Sequence, residues 1–208
     1  MILAIDSAIA TAVAIVTADG EVLAECPSAD TRGHAEAVGR LIAEALERSG
    51  VPAAAITAVA AGMGPGAFTG LRVGIAAARA FAIGRGIPVI SLPSHDAIAL
   101  DRGLDVPLVV LTDVRRREFA WTAFSGLDAD GLPVTVAGPS LAPADDLDAA
   151  LADHAGTARV LATAVPAGAL GRIAARRIAV GAGSSALEPL YLRAPDAIPS
   201  AGPKRVTA

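Results

Sequence analysis

An apolar run that ends in aspartate and leads into a hairpin signal occurs twice in this chain, and this repetition limits the architectures open to it. The copies are Met1 to Ile5, Asp6 and Asp19-Gly20 in the first half, and Val106 to Thr112, Asp113 and Asp130-Gly131 in the second. An Asp-Gly pair between strand-forming runs predicts a β-hairpin. The sequence therefore predicts two related halves that meet near Arg102.

Hydrophobic periodicity predicts the other strands and helices. Further strands are expected at Ala12 to Thr17, Val22 to Glu25, Ile56 to Ala61, Ile87 to Ser91, Phe119 to Phe124, Val134 to Ala137, Arg159 to Ala164 and Leu190 to Arg193. Helices are expected at His34 to Ser49, at about Thr69 to Gly84, at Ser94 to Leu100, at Pro143 to Leu151 and at Pro166 to Val180. Thr69 and Ser94 are predicted N-caps. The order β-β-β-α-β-α-β in the first half predicts a mixed sheet with helices on its faces.

The predicted domain boundaries follow from this order. Residues 1–102 form an N-terminal lobe and residues 103–195 form a shorter C-terminal lobe, while the Pro- and Gly-rich residues 196–208 form a disordered tail.

Composition excludes several classes of protein. The chain has 208 residues, a net charge of -4 and one cysteine, so a stand-alone nucleic-acid binder and a disulfide framework are both disfavoured. Alanine supplies 50 residues and aromatics only 3%, so small side chains must pack closely. No signal peptide is recognisable, and the apolar stretch Gly74 to Ile83 is too short to span a bilayer. We expect a soluble cytoplasmic protein that does not enter membranes.

The glycine-rich string GMGPGAFTGLRVG, residues 62–74, is the most informative segment. Its characteristic residues are Gly62, Gly64, Pro65, Gly66, Phe68, Thr69, Gly70, Leu71, Arg72 and Gly74. The string lacks the Gly-Lys-Ser/Thr ending of a P-loop and the glycine spacing of a dinucleotide fingerprint. Two interpretations stay open: an anion held at a helix N-terminus, or a tight turn that allows close packing.

A strip of small residues continues along the helix that follows this string. Gly70, Gly74, Ala77 and Ala78 allow a neighbouring helix to approach closely. Together with Phe81 they mark either a partner surface or a contact inside the same chain.

Three polar features bear on chemistry. Asp6 lies where a kinase or ATPase holds magnesium, but Ala8 to Ala10 would crowd a phosphate, which favours a simple hairpin role. Val38 stands four residues after His34, so that helix carries no metal-binding histidine pair, and we expect no metal or cofactor. Arg115 to Arg117 form either a solvated turn or a phosphate or RNA contact.

The glycine-rich string resembles the signature of the TsaB (YeaZ) family, non-catalytic subunits of the bacterial machinery that makes threonylcarbamoyladenosine in tRNA. Supporting matches lie at Ile2 to Ala8, at Arg32, at His34 to Glu36, at Asp113 to Arg115 with Glu118 and Phe119, and at Pro189 to Arg193. The second half is shorter than the family pattern.

This resemblance implies an α/β fold of the duplicated actin-like (RNase H-like, ASKHA) kind, with two lobes of mixed β-sheets flanked by helices. It also implies a catalytic paralogue, TsaD, as partner, the ATPase TsaE as a second partner, a homodimer in isolation, and tRNA reached only through the complex. The catalytic paralogue uses a His-x-x-x-His metal pair that this chain lacks. The implied partner interface comprises His34, Val38, Leu41, Ala45, Gly70, Arg72, Gly74, Ala77, Ala78 and Phe81.

The resulting functional hypothesis is an accessory subunit that scaffolds and activates a TsaD-type threonylcarbamoyl transferase, with no expected activity alone. Two alternatives remain at this stage. One is a nucleotide-dependent phosphotransferase or ATPase of the actin-like superfamily, and the other is a glycoprotease-like peptidase homologue.

Overall fold

A computed structural model describes residues 1–28, 30, 33–182 and 188–193. The strands are β1 (Ile2–Asp6), β2 (Ala12–Val16), β3 (Val22–Pro27), β4 (Ala58–Gly62), β5 (Val89–Leu92), β6 (Leu108–Asp113), β7 (Glu118–Leu127), β8 (Pro133–Pro143) and β9 (Ala158–Ala162). The α-helices are α1 (His34–Ser49), α2 (Phe68–Arg85), α3 (Ser94–Arg102), α4 (Leu147–Ala150) and α5 (Ala167–Ala179). Among these helices, none is long and apolar enough to cross a bilayer.

The first sheet has the strand order β3-β2-β1-β4-β5. Its first three strands form an antiparallel meander, and β4 and β5 run parallel to β1. Helices α1 and α2 pack side by side against one face. Helix α5 covers the opposite face, where Gly171 lies against Ala4 and Val16.

The second sheet repeats this arrangement with one strand fewer. Its order is β8-β7-β6-β9, with an antiparallel meander followed by a strand parallel to β6. The predicted duplication and mixed sheets are therefore confirmed. The place of α1 is taken by the four residues of α4, which lie between two 3-10 turns. A continuous helix from Pro143 to Leu151 was thus the wrong prediction, because Pro143 still belongs to β8.

One large core joins the two halves. Leu108, Val110 and Phe124 of the second sheet are buried in the same cluster as β1, β4 and α5. Helix α5 follows the second sheet in sequence but packs on the first sheet. A smaller cluster around Trp121 and Leu151 lies on the outer face of the second sheet.

The structure differs from the sequence predictions at several element ends. Strand β8 continues to Pro143, well beyond Ala137, because Gly138 and Pro139 are typical of a turn and interrupt the strand pattern in the sequence. Thr69 and Ser94 are not N-caps: they lie inside α2 and α3, and no described side chain caps either helix. Residues 190–193 do not form a strand. Arg32 and the predicted tail, residues 196–208, lie outside the described residues.

Candidate functional site

The glycine-rich string forms the connection from β4 to α2 and packs against the turn after β1. A Cβ at Gly66 would lie 2.6 Å from the Cα of Ala8, and a Cβ at Gly62 would overlap the carboxylate of Asp6. The backbone N–H of Ala67 donates to the carbonyl of Ala8 at 3.4 Å. These glycines allow close packing within the chain, which is the second of the two interpretations offered by the sequence.

Asp6 is fully buried at the end of β1. Its Oδ1 accepts the N–H of Ala8 at 2.7 Å, and its Oδ2 accepts the hydroxyl of Ser94 at 2.5 Å. Ser94 in turn accepts the N–H of Gly64 at 3.1 Å. Burial raises the pKa of Asp6 to about 6, although both hydrogen bonds favour the carboxylate. Asp6 therefore ties β1 to the glycine-rich string and to α3.

The strip of small residues on α2 faces the protein's own β1–β2 turn. A Cβ at Gly70 would lie 2.7 Å from His34 Nε2, and a Cβ at Gly74 would overlap the hydroxyl of Ser7. That hydroxyl donates to the carbonyl of Gly70 at 2.7 Å and accepts the N–H of Gly74 at 2.9 Å. His34 Nδ1 is hydrogen-bonded to Thr11 Oγ1 at 2.9 Å. At Gly70 and Gly74 the strip is thus an internal contact.

The ten expected interface residues divide by burial. Val38, Leu41, Ala45, Gly70, Gly74 and Ala78 are buried within the chain, while His34, Ala77 and Phe81 are partly buried and Arg72 is exposed. The buried six contact this chain's own core or β1–β2 turn. They pack within the chain, and their part in a partner interface stays a prediction.

Helices α1 and α2 expose a different set of small and apolar residues, which we call the outer face. These residues are Ala35, Gly39 and Ala43 on α1 and Ala76, Ala80 and Ile83 on α2. Ile83 is 81% exposed, and a Cβ at Gly39 would have no neighbour within 4 Å. Glycine weakens a helix interior by about 1 kcal/mol relative to alanine. An exposed glycine in the middle of α1 is therefore not explained by packing within this chain.

The segment 189–193 returns to the glycine-rich string. The N–H of Leu190 donates to the carbonyl of Met63 at 2.8 Å. Arg72 Nε donates to the Tyr191 hydroxyl at 2.9 Å, and the Arg72 guanidinium lies 3.7 Å from the centroid of the Phe68 ring. We call Phe68, Arg72 and Tyr191 the aromatic clasp. Tyr191 is 119 positions from Arg72, and no local sequence pattern signals this contact.

His95 has a structural role between α3 and the second sheet. Its Nδ1 lies 2.8 Å from Thr122 Oγ1 and its Nε2 lies 3.0 Å from Thr112 Oγ1. Burial lowers the pKa of His95 to about 3, so the ring is neutral. The position four residues later is Ala99, so α3 has no histidine pair at that spacing. Within the described residues, no three His, Cys, Asp or Glu side chains form a group that could hold a metal ion.

Arg115 to Arg117 occupy the turn between β6 and β7, which we call the arginine turn. All three residues have left-handed backbones, with φ of 72°, 60° and 57°, and all three are exposed. Arg117 pairs with Asp145 at 3.0 Å. At the foot of the turn, the N–H of Glu118 donates to the carbonyl of Arg115 at 3.2 Å.

Comparison with known proteins gives consistent results. A family model described as TsaD, tRNA N6-adenosine threonylcarbamoyltransferase, matches residues 16–141. An uncharacterized protein of Mycobacterium tuberculosis is 36% identical over 208 residues, which cover 96% of this chain and 95% of that protein. A protein of Geotalea uraniireducens named tRNA N6-adenosine threonylcarbamoyltransferase is 36% identical over 89 residues, which cover 41% of this chain and 26% of that protein.

Two solved structures from Pseudomonas aeruginosa have the same fold. YeaZ superposes with a TM-score of 0.74 at 23% identity, and a protein described as similar to the peptidase YEAZ superposes with a TM-score of 0.75 at 24% identity. Each alignment covers 92% of this chain and 99% of the other. The two-lobed, actin-like fold that the resemblance implies is confirmed. Since the family model matches more than half of the residues, this chain belongs to the TsaD family, and it has the YeaZ fold.

Proposed function

We propose that this chain is a TsaB-type, non-catalytic subunit of the system that makes threonylcarbamoyladenosine in tRNA, and that it pairs with a TsaD-type transferase. The observation that carries the proposal is that a member of the TsaD family uses His95 to hold its fold together rather than to bind a metal. Both ring nitrogens of His95 are hydrogen-bonded to threonines. The histidines of the chain are His34, His95 and His154, so the sequence contains no His-x-x-x-His pair. The fold is thus retained without the metal pair.

The outer face of α1 and α2 is the surface best suited to the partner. Its small residues, Ala35, Gly39 and Ala43 on α1 and Ala76 and Ala80 on α2, permit close helix packing, and Ile83 offers an exposed apolar anchor. Of the residues expected from the sequence, Ala77 and Phe81 flank this face. We expect the pairing to bury about 1,200–2,000 Å² in total.

Other features of the family pattern extend the same proposal. A homodimer in isolation would use the outer face in the absence of the transferase. Association with a TsaE-type ATPase and a cytoplasmic location follow from membership of such a complex. No observation on this chain favours the phosphotransferase or the peptidase alternative.

Calorimetry between this chain and the TsaD-like protein of the same organism tests the pairing. Ala80→Glu and Ile83→Glu place a charge on the outer face and should weaken binding at least about tenfold, since a buried unpaired charge opposes association. Ala150→Glu, an exposed alanine on α4, is the matched control and should bind like wild type.

A threonylcarbamoyladenosine assay in reconstitutions with and without this chain supplies the functional readout. Absence of association between the wild-type proteins contradicts the proposal. Equal effects of Ile83→Glu and Ala150→Glu contradict the assignment of the outer face.

A further inference from the structure

The segment 189–193, which we call the strap, joins the two halves of the molecule. The N–H of Leu190 donates to the carbonyl of Met63, a fully buried residue directly after β4. Three residues later, Arg193 forms an ion pair with Glu118 at the start of β7. Three residues of extended chain span about 10 Å. The strap is therefore anchored on both lobes within one short stretch of chain.

The anchor on the second lobe is a partly buried ion pair. The side chain of Arg193 is 32% exposed and that of Glu118 is 28% exposed. Elsewhere on the second lobe, Arg159 pairs with Asp148, whose side chain is 90% exposed. Solvent and salt screen a partly buried pair less than a fully exposed one. Of these two ion pairs, the one between the strap and β7 is thus better suited to hold a segment in place.

The anchor on the first lobe is the aromatic clasp at the beginning of α2. Phe68 is the first residue of this helix, and Arg72 lies about one turn later. The Tyr191 ring centroid is 4.9 Å from that of Phe68, and the Tyr191 hydroxyl accepts a hydrogen bond from Arg72. The strap thus holds the first turns of α2 from outside, while the hydroxyl of Ser7 binds the same turns from beneath.

The beginning of α2 needs support from outside the helix. Ala67 at the N-cap makes no side-chain hydrogen bond to the free N–H groups of the first turn. Gly70 and Gly74 lie in the first two turns, and only proline is less favourable than glycine inside a helix. Helix α2 packs on α1, β1, β4 and β5, which all belong to the first half. The strap adds a side-chain connection from α2 to β7 of the second half.

We infer that the strap couples the second lobe to α2 and thereby regulates the affinity of the outer face for its partner. An intact strap keeps the first turns of α2 helical, and the outer-face residues Ala76, Ala80 and Ile83 continue along the same helix. Release of the strap from β7 or from the clasp loosens these turns and weakens partner binding. The inference rests on the proposed function, which assigns the partner to the outer face. It gives the shortened second lobe a role in an interface that it does not itself form.

Hydrogen exchange of the full chain, together with calorimetry against the TsaD-like protein, tests the inference. Tyr191→Ala should speed amide exchange in residues 71–76 at least about tenfold and weaken partner binding at least about fivefold. Arg193→Gln should change both measurements in the same direction. Glu118→Gln should reproduce Arg193→Gln, and the double variant should not exceed either single variant, because all three remove the same ion pair. Arg159→Gln breaks the more exposed ion pair of the same lobe and should change neither measurement.

Three results overturn the inference. One is unchanged exchange at the start of α2 in Tyr191→Ala and Arg193→Gln, and another is faster exchange with unchanged partner affinity. The third is an equal effect of Arg159→Gln and Arg193→Gln, which indicates a general loss of stability. If Tyr191→Ala does not fold, the variants of Arg193 and Glu118 provide the test. A wild-type chain that does not bind the TsaD-like protein overturns the proposed function instead, and the exchange rates still decide whether the strap holds α2.

Discussion

At the scale of single residues, this protein buries ionisable groups whose roles are structural. Asp6 and His95 each join a helix to a sheet, and Asp96 lies beside His95 in α3. Burial raises the pKa of Asp96 to about 7, while Arg177 of α5 partly opposes that rise. The charge states of these groups therefore couple folding to pH.

Asp96→Asn should change stability in a pH-dependent way. The pKa of Asp96 is about 7 in the folded state and 3.8 for an unperturbed aspartate, so the folded state retains the proton between those values. Wild-type stability from this group is therefore highest at low pH and falls as pH rises towards 7. The free energy of unfolding of Asp96→Asn minus that of wild type should rise by about 3 kcal/mol between about pH 4.5 and 7.5.

Urea unfolding of both proteins across this pH range measures the difference in their free energies of unfolding. Asp6 and His95 are present in both proteins, so their contributions cancel. Arg177→Gln is the companion variant. Because Arg177 lowers the pKa of Asp96, its removal should steepen the fall of stability with pH. If the difference in free energy of unfolding between Asp96→Asn and wild type did not change with pH, the raised pKa of Asp96 would be refuted.

At the scale of elements, the sequence predicted the bounds of those helices and strands whose ends are set by neighbouring residues. The bounds of α1 were predicted to the residue, because its apolar positions recur at helical spacing and Gly50 ends it in a left-handed conformation. Strand β8 and the break-up of the Pro143 to Leu151 helix depend on pairing with β7 and were not predictable. The aromatic clasp joins residues far apart in sequence, so no window could reveal it.

The sequence could not predict whether the small-residue strip on α2 contacts a partner or the chain itself. The contact of Gly74 with Ser7 can be tested through stability. Gly74→Ala should destabilise the fold by about 1–3 kcal/mol, because the added methyl overlaps Ser7 beneath the helix. Gly39→Ala is the matched helical control, with open space around it, and should stabilise the fold by about 1 kcal/mol. Chemical denaturation compares the two. If Gly74→Ala were as stable as Gly39→Ala, the strip would not be an internal contact.

At the scale of the whole molecule, the two sheets depend on one core. Sequence predicted a boundary near Arg102, and the strand orders of the two sheets do follow a duplicated plan. Yet α5 covers the first sheet with residues from the second half, and Leu170 and Ile173 are fully buried there. Residues 1–102 alone would leave that face of the sheet exposed to water.

A fragment of residues 1–102 should therefore not fold on its own. Exposure of the sheet face that α5 covers removes a large part of the apolar burial that stabilises a small domain. Circular dichroism and urea titration should show no cooperative transition for 1–102, but a cooperative one for residues 1–182, which retain α5. Mixing 1–102 with 103–208 should restore the transition, because the second fragment supplies the missing helix. Cooperative unfolding of 1–102 alone would mean that the first sheet is a domain in its own right and that α5 only covers it.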